Sequence, residues 1–64
     1  MRYVIKINEE YLSVQHGPSG YYETTTNVFK AKVFSSSQLE SDRIKLAKDI
    51  KNQYNTYAQA IRIL

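Results

Sequence analysis

The chain has 64 residues, no cysteine, and nine Lys or Arg against six Asp or Glu, a formal charge of +3. That length sets one domain, residues 1–64, which hides only about 60% of the surface of its unfolded form, so the core must be efficient or be completed by self-association or a partner. The missing thiols rule out disulfide staples and thiolate metal centres, and charge is spread evenly, with four basic and three acidic groups in 1–32 and five and three in 33–64, so neither half is a basic block.

Residues 1–7 alternate, with Tyr3, Ile5 and Ile7 on one face and Arg2, Val4 and Lys6 on the other. This period of two predicts a strand. Asn8, Glu9 and Glu10 interrupt it, and Tyr11–Gln15 resumes it with Leu12 and Val14 pointing together, which predicts a hairpin. Gly17-Pro18-Ser19-Gly20 is the strongest turn signal, since glycine permits positive φ and proline fixes its own. Tyr21–Thr26 then offers aromatic and β-branched residues suited to a pleated surface. After a break at Asn27, alternation over Val28–Phe34 predicts another strand, with Phe29, Ala31 and Val33 opposite Val28, Lys30, Lys32 and Phe34.

Ser35-Ser36-Ser37 announces a helix. With Ser37 as N-cap, Glu40 occupies the third helical position and completes a capping box. Leu39, Leu46, Ala47, Ile50 and Tyr54 gather on one side, with Ser41, Lys45, Asp49 and Asn52 facing away. The stripe could continue through Tyr57, Ile61 and Leu64 as one long helix. Asn52, Asn55 and Thr56 are poor helix formers, however, and Ile61 and Ile63 align as in a strand. The preferred reading is a helix to about residue 53 and then a closing strand. The fold class is α+β: a small antiparallel sheet of three to four strands, one amphipathic helix across a face, and a C-terminal closing strand.

Catalytic and metal signatures are not evident. His16 is the lone histidine and stands beside the glycine-rich turn, short of the three or four ligands a transition metal needs. Glu9 and Glu10, adjacent on an extended chain, point apart and cannot converge on one substrate atom. The Ser35–Ser37 and Thr24–Thr26 hydroxyls have no activating base at a recognisable spacing. Gly17 and Gly20 lack the lysine and following helix of a phosphate loop. No catalytic residue, metal ligand or cofactor site is assigned, and an enzyme is not expected.

The candidate interaction surface combines aromatics with bases: Tyr21 and Tyr22, then Lys30 and Lys32 on one strand face, then Lys45, Lys48 and Lys51 stepping around the helix flank. Such a set can track phosphates and stack bases. Tyrosine also gives protein partners large contact area at low entropic cost. Arg2 and Lys6 bracket Tyr3-Val4-Ile5, leaving no signal-peptide core, and no stretch approaches the roughly 20 apolar residues of a membrane span. A soluble cytoplasmic protein is expected.

Met-Arg-Tyr-Val-Ile-Lys-Ile at the start, Glu-Tyr-Leu as a second strand, and Ala31-Lys32-Val33-Phe34 leading through serines into a helix give the chain the style of certain small proteins. It resembles the very short products of accessory regions in phages and prophages of low-GC Gram-positive bacteria. The resemblance implies a non-enzymatic role in the host cytoplasm, binding a host or phage protein and in some cases blocking a defence nuclease. It transfers no functional residue. The expected function is therefore a protein-binding accessory factor, with a small nucleic-acid-binding module as the alternative.

Overall fold

A computed structural model describes residues 1–17 and 20–63 of the chain. Its strands are β1 (Arg2–Ile7), β2 (Glu10–His16), β3 (Tyr21–Thr25), a two-residue β4 (Phe34–Ser35) and β5 (Gln59–Ile63), and its helix is α1 (Ser36–Tyr54). All pairings are antiparallel, and the closing strand anticipated from Ile61 and Ile63 is present, running beside β1 from Arg2↔Ile63 to Lys6↔Gln59. The opposite edge of β1 is divided. Lys6 and Ile7 pair with Tyr11 and Glu10 of β2, whereas Arg2 and Tyr3 pair with Ser35 and Phe34 of β4. Just ahead of β4, the Lys32 amide donates to the Leu12 carbonyl at 2.8 Å. The sheet thus forks where β2 leaves β1, and the segment around β4 fills the fork.

Ile5 and Ile7 of β1 join Leu12, Tyr22, Phe34, Leu46 and Ile50 in one core, with Leu39, Tyr54 and Ala58 packed against it. Val4 lies on the other face of β1 and is also buried, opposite Ile61. Asn8 adopts φ 56°, the left-handed conformation that lets a two-residue turn join β1 to β2. Of the glycine-rich turn, Gly17 and Gly20 both have positive φ, while Pro18 and Ser19 lie outside the described residues, as does Leu64.

Three expectations are corrected. Leu12 and Val14 do not share a face: Leu12↔Thr24 is followed by Val14↔Glu23, so Ser13 is an extra residue, a bulge that reverses the alternation. Leu12 is fully buried and Val14 exposed. The strand over Val28–Phe34 shrinks to Phe34–Ser35, because the Asn27 side chain accepts from the Phe29 amide at 3.0 Å and winds Val28–Lys30 into a 3-10 turn. The helix starts earlier, with Ser35 as N-cap. Its Oγ accepts from the Gln38 amide at 3.2 Å, and the Gln38 side chain accepts from the Ser35 amide at 2.9 Å, so the capping box uses Ser35 and Gln38 rather than Ser37 and Glu40.

Helix α1 ends where the sequence placed it within a residue, at Tyr54. Asn55 takes a left-handed C-cap conformation at φ 54° and donates to the Lys51 carbonyl. Ser35→Ala should accordingly lower stability by about 1 kcal/mol, while Ser37→Ala should change it by only a few tenths. Urea denaturation of the two variants checks the assignment; the reverse order would restore Ser37 as cap.

Candidate interaction surface

The aromatic and basic residues nominated from the sequence are dispersed. Tyr22 is 2% exposed and belongs to the core, which removes it from any surface. Its hydroxyl donates to Asp49 Oδ2 at 2.8 Å, and Lys45 Nζ donates to the same oxygen at 2.6 Å. Asp49 therefore turns toward β3 and does not simply face away. Burial, reinforced by the bond to Asp49, holds the Tyr22 hydroxyl above the ordinary tyrosine pKa. Hydrogen bonds from Lys45 and Tyr22 hold Asp49 below the usual carboxylate value, and the bond to Asp49 raises Lys45.

Tyr21 is exposed and lies 5.3 Å, centroid to centroid, from the His16 ring. Lys30 sits in the 3-10 turn beside Phe29, which is 94% exposed, and Lys32 reaches over the Phe34 ring. Lys48 is on the outer face of α1. Lys51 lies 4.7 Å over the Tyr57 ring, on the β5 side. Lys45 and Lys51, six residues apart, diverge by about 120° around the helix axis. The five lysines do not make one basic face.

His16 pairs through Nε2 with Glu23 Oε2, a cross-strand neighbour that sequence spacing hid. Glu10 accepts from the Thr24 hydroxyl at 2.5 Å, whereas Glu9 is exposed in the first turn. Among the described residues no group of three His, Asp or Glu is close enough to share a metal ion. Among the described residues no helix is long and apolar enough to cross a membrane.

The two longer edge strands of the sheet, β3 and β5, differ sharply. At β3 the helix supplies a substitute neighbour: the Gln53 side chain accepts from the Tyr22 amide at 2.9 Å and donates to the Tyr22 carbonyl at 2.8 Å, and the Tyr54 hydroxyl donates to that same carbonyl at 2.9 Å. Nearby, a Cβ on Gly20 would meet the Asp49 carboxyl group at 3.0 Å, so glycine also lets the helix approach β3. Side-chain capping of this kind blocks strand addition. At β5, among the described residues, the outer edge pairs with no strand and receives no side-chain cap.

Beside that open edge lies an apolar groove of about 240 Å³ between α1 and β5. Ile5, Leu46 and Ile50 form its floor, Ala47 the helix wall, and Ala58 and Ala60 the strand wall. The alanines are what keep it open, since larger side chains on the inner face of β5 would fill it. Arg43 and Tyr57 stand at the mouth. Tyr57 is 79% exposed, and Ile44, one residue after Arg43, is 84% exposed. An unfilled apolar groove with an exposed tyrosine in its lining is the kind of surface a monomer seldom leaves bare without use.

Charge is also unequal across the molecule. Glu10, Glu23 and Asp49 are engaged at the β2–β3 side, while Arg43 and Lys51 border the groove and Arg62, two residues beyond Ala60, points to the same face of β5. Neither Arg43 nor Arg62 is ion-paired among the described residues. None of this surface except Lys51 was nominated from sequence. The available signals were Ile44 outside the apolar stripe and the two alanines spaced for one strand face. The chain matches no family model, and no curated protein or solved structure is detectably similar to it.

Proposed function

We propose that this protein is a non-enzymatic, protein-binding accessory factor that acts by occupying a partner's surface. The observation that carries the reading is the open apolar groove between α1 and β5, lined in part by exposed Tyr57. Apolar and aromatic groups of this kind form the buried centre of protein interfaces. Dispersal of the five lysines weighs against a phosphate-tracking surface, which needs its cations aligned. The resemblance to short phage and prophage accessory proteins favours a host or phage protein as partner, including a defence protein that binding would inhibit.

The experiment is affinity capture from a bacterial lysate with and without nuclease. Retention of one protein at near-equal stoichiometry after nuclease is expected, and His16→Ala should leave it unchanged. Capture that disappears with the nucleic acid, together with oligonucleotide binding that falls steeply between roughly 50 and 200 mM salt, would overturn the reading in favour of nucleic-acid binding.

A further inference from the structure

The proposal of protein binding leaves open what the partner looks like, and the inference here rests on that reading. We infer that the partner contributes an extended acidic segment that adds to β5 as a further strand, with apolar side chains seated in the α1–β5 groove and carboxylates against Arg43 and Arg62. Strand addition needs a free row of backbone donors and acceptors. Of the two five-residue edge strands only one offers it: Gln53 and Tyr54 cap β3 at Tyr22, and β5 carries no such cap among the described residues, while β4 has only two residues.

Side-chain alternation then fixes the chemistry. A strand placed about 4.8 Å beyond β5 directs every second residue toward α1. There Ala58 and Ala60 leave room over Ile5 and Ile50 for a side chain of leucine or phenylalanine size. Arg43 lines the groove, Arg62 shares the Ala60 face of β5 and Lys51 lies over the Tyr57 ring; neither guanidinium group is ion-paired among the described residues, although Asp42 adjoins Arg43 in the sequence. Guanidinium forks match carboxylates in geometry as well as charge. A second copy of the chain is the weaker occupant, because antiparallel β5–β5 pairing would bring two such cationic rims together and each chain already carries +3.

A random-peptide display library selected on the full chain supplies the probe. Enriched peptides should alternate apolar residues with Asp or Glu, and their amide shift perturbations by NMR should centre on Gln59–Ile63 and Ala47. The double variant Arg43→Glu with Arg62→Glu should weaken a selected peptide by about tenfold or more. Ala60→Lys, an inward charge on the open edge, should abolish binding. All three positions are exposed, so circular dichroism should report an unchanged fold.

Three results would overturn the inference: no enrichment; peptides without acidic alternation, or mapping to Phe29 or the outer sheet face; or a dimer in sedimentation that Ala60→Lys dissociates. If lysate capture after nuclease survives Ala60→Lys and the double arginine variant, protein binding stands and this groove is not its site. If capture itself requires nucleic acid, the underlying reading has failed instead.

Discussion

Replacing Ile50 by Ala should lower the unfolding free energy by about 2–5 kcal/mol. Ile50 has no exposed surface, lies where α1 meets the sheet, and contacts the same core as Ile5, Tyr22 and Phe34. Removing its branch deletes transfer energy and leaves a cavity that a rigid strand on one side and a capped helix on the other can close only partly. At roughly 0.05–0.15 kcal/mol per residue, a chain of this length holds about 3–10 kcal/mol in all. The variant should therefore be largely unfolded at moderate urea, and Ile5→Ala should fall in the same range. Ile44→Ala, at a site 84% exposed, is the control and should change stability by less than about 0.5 kcal/mol. Shifts of a few tenths for both buried sites would mean that the core has been assigned to the wrong face.

Phe34→Ala should be at least as damaging, at about 3–5 kcal/mol. β4 has only two residues, yet Phe34 is 1% exposed and anchors the chain in the fork between β1 and β2. Its loss should be felt in the backbone as well as in the core: hydrogen exchange at Tyr3 and at position 34, which pair across β1 and β4, should accelerate more than exchange in the β2–β3 hairpin. Equal acceleration everywhere would show that β4 has no role of its own and that Phe34 acts only as core volume.

The sequence made the order of elements legible wherever one physical signal dominated. β1 alternates without interruption, α1 carries a long apolar stripe, and Asn52, Asn55 and Thr56 mark the end of the helix before Ile61 and Ile63 resume strand spacing. It misled where a single side chain or a single extra residue decided the outcome. Alternation over Val28–Phe34 is genuine, but the hydrogen bond that the Asn27 side chain accepts from the Phe29 amide diverts the backbone before that pattern can be used. Ser13 carries no mark distinguishing a bulge from an ordinary strand residue, since the mismatch exists only relative to β3.

The candidate interaction surface was hidden for a different reason. Aromatic and basic residues drew attention by type, whereas burial separates Tyr22 from Tyr21 although the two are neighbours on one strand. The groove is defined by what is small, Ala58 and Ala60, and by an edge that nothing covers among the described residues. Both depend on tertiary arrangement, because an alanine on a strand is unremarkable until the space above it is known to be vacant.

The pairing of β1 has a consequence for how the chain folds. Its first partner arrives across a two-residue turn, but Ile5 meets Ala60 only across a separation of 55 positions along the chain. Closing a flexible loop of that size carries an entropic term of roughly 3.5 kcal/mol from chain length alone, reduced once α1 has shortened the path. Hairpins and helix should therefore form early and β5 should dock late, giving slower folding than a helical domain of equal length. During that interval the strand bearing Val4, Ile5 and Ile7 has one side unsatisfied, and a crowded solution of half-folded chains can supply the missing neighbour from another molecule. Refolding yield should consequently decline with protein concentration, even though the finished sheet keeps β1 in its interior.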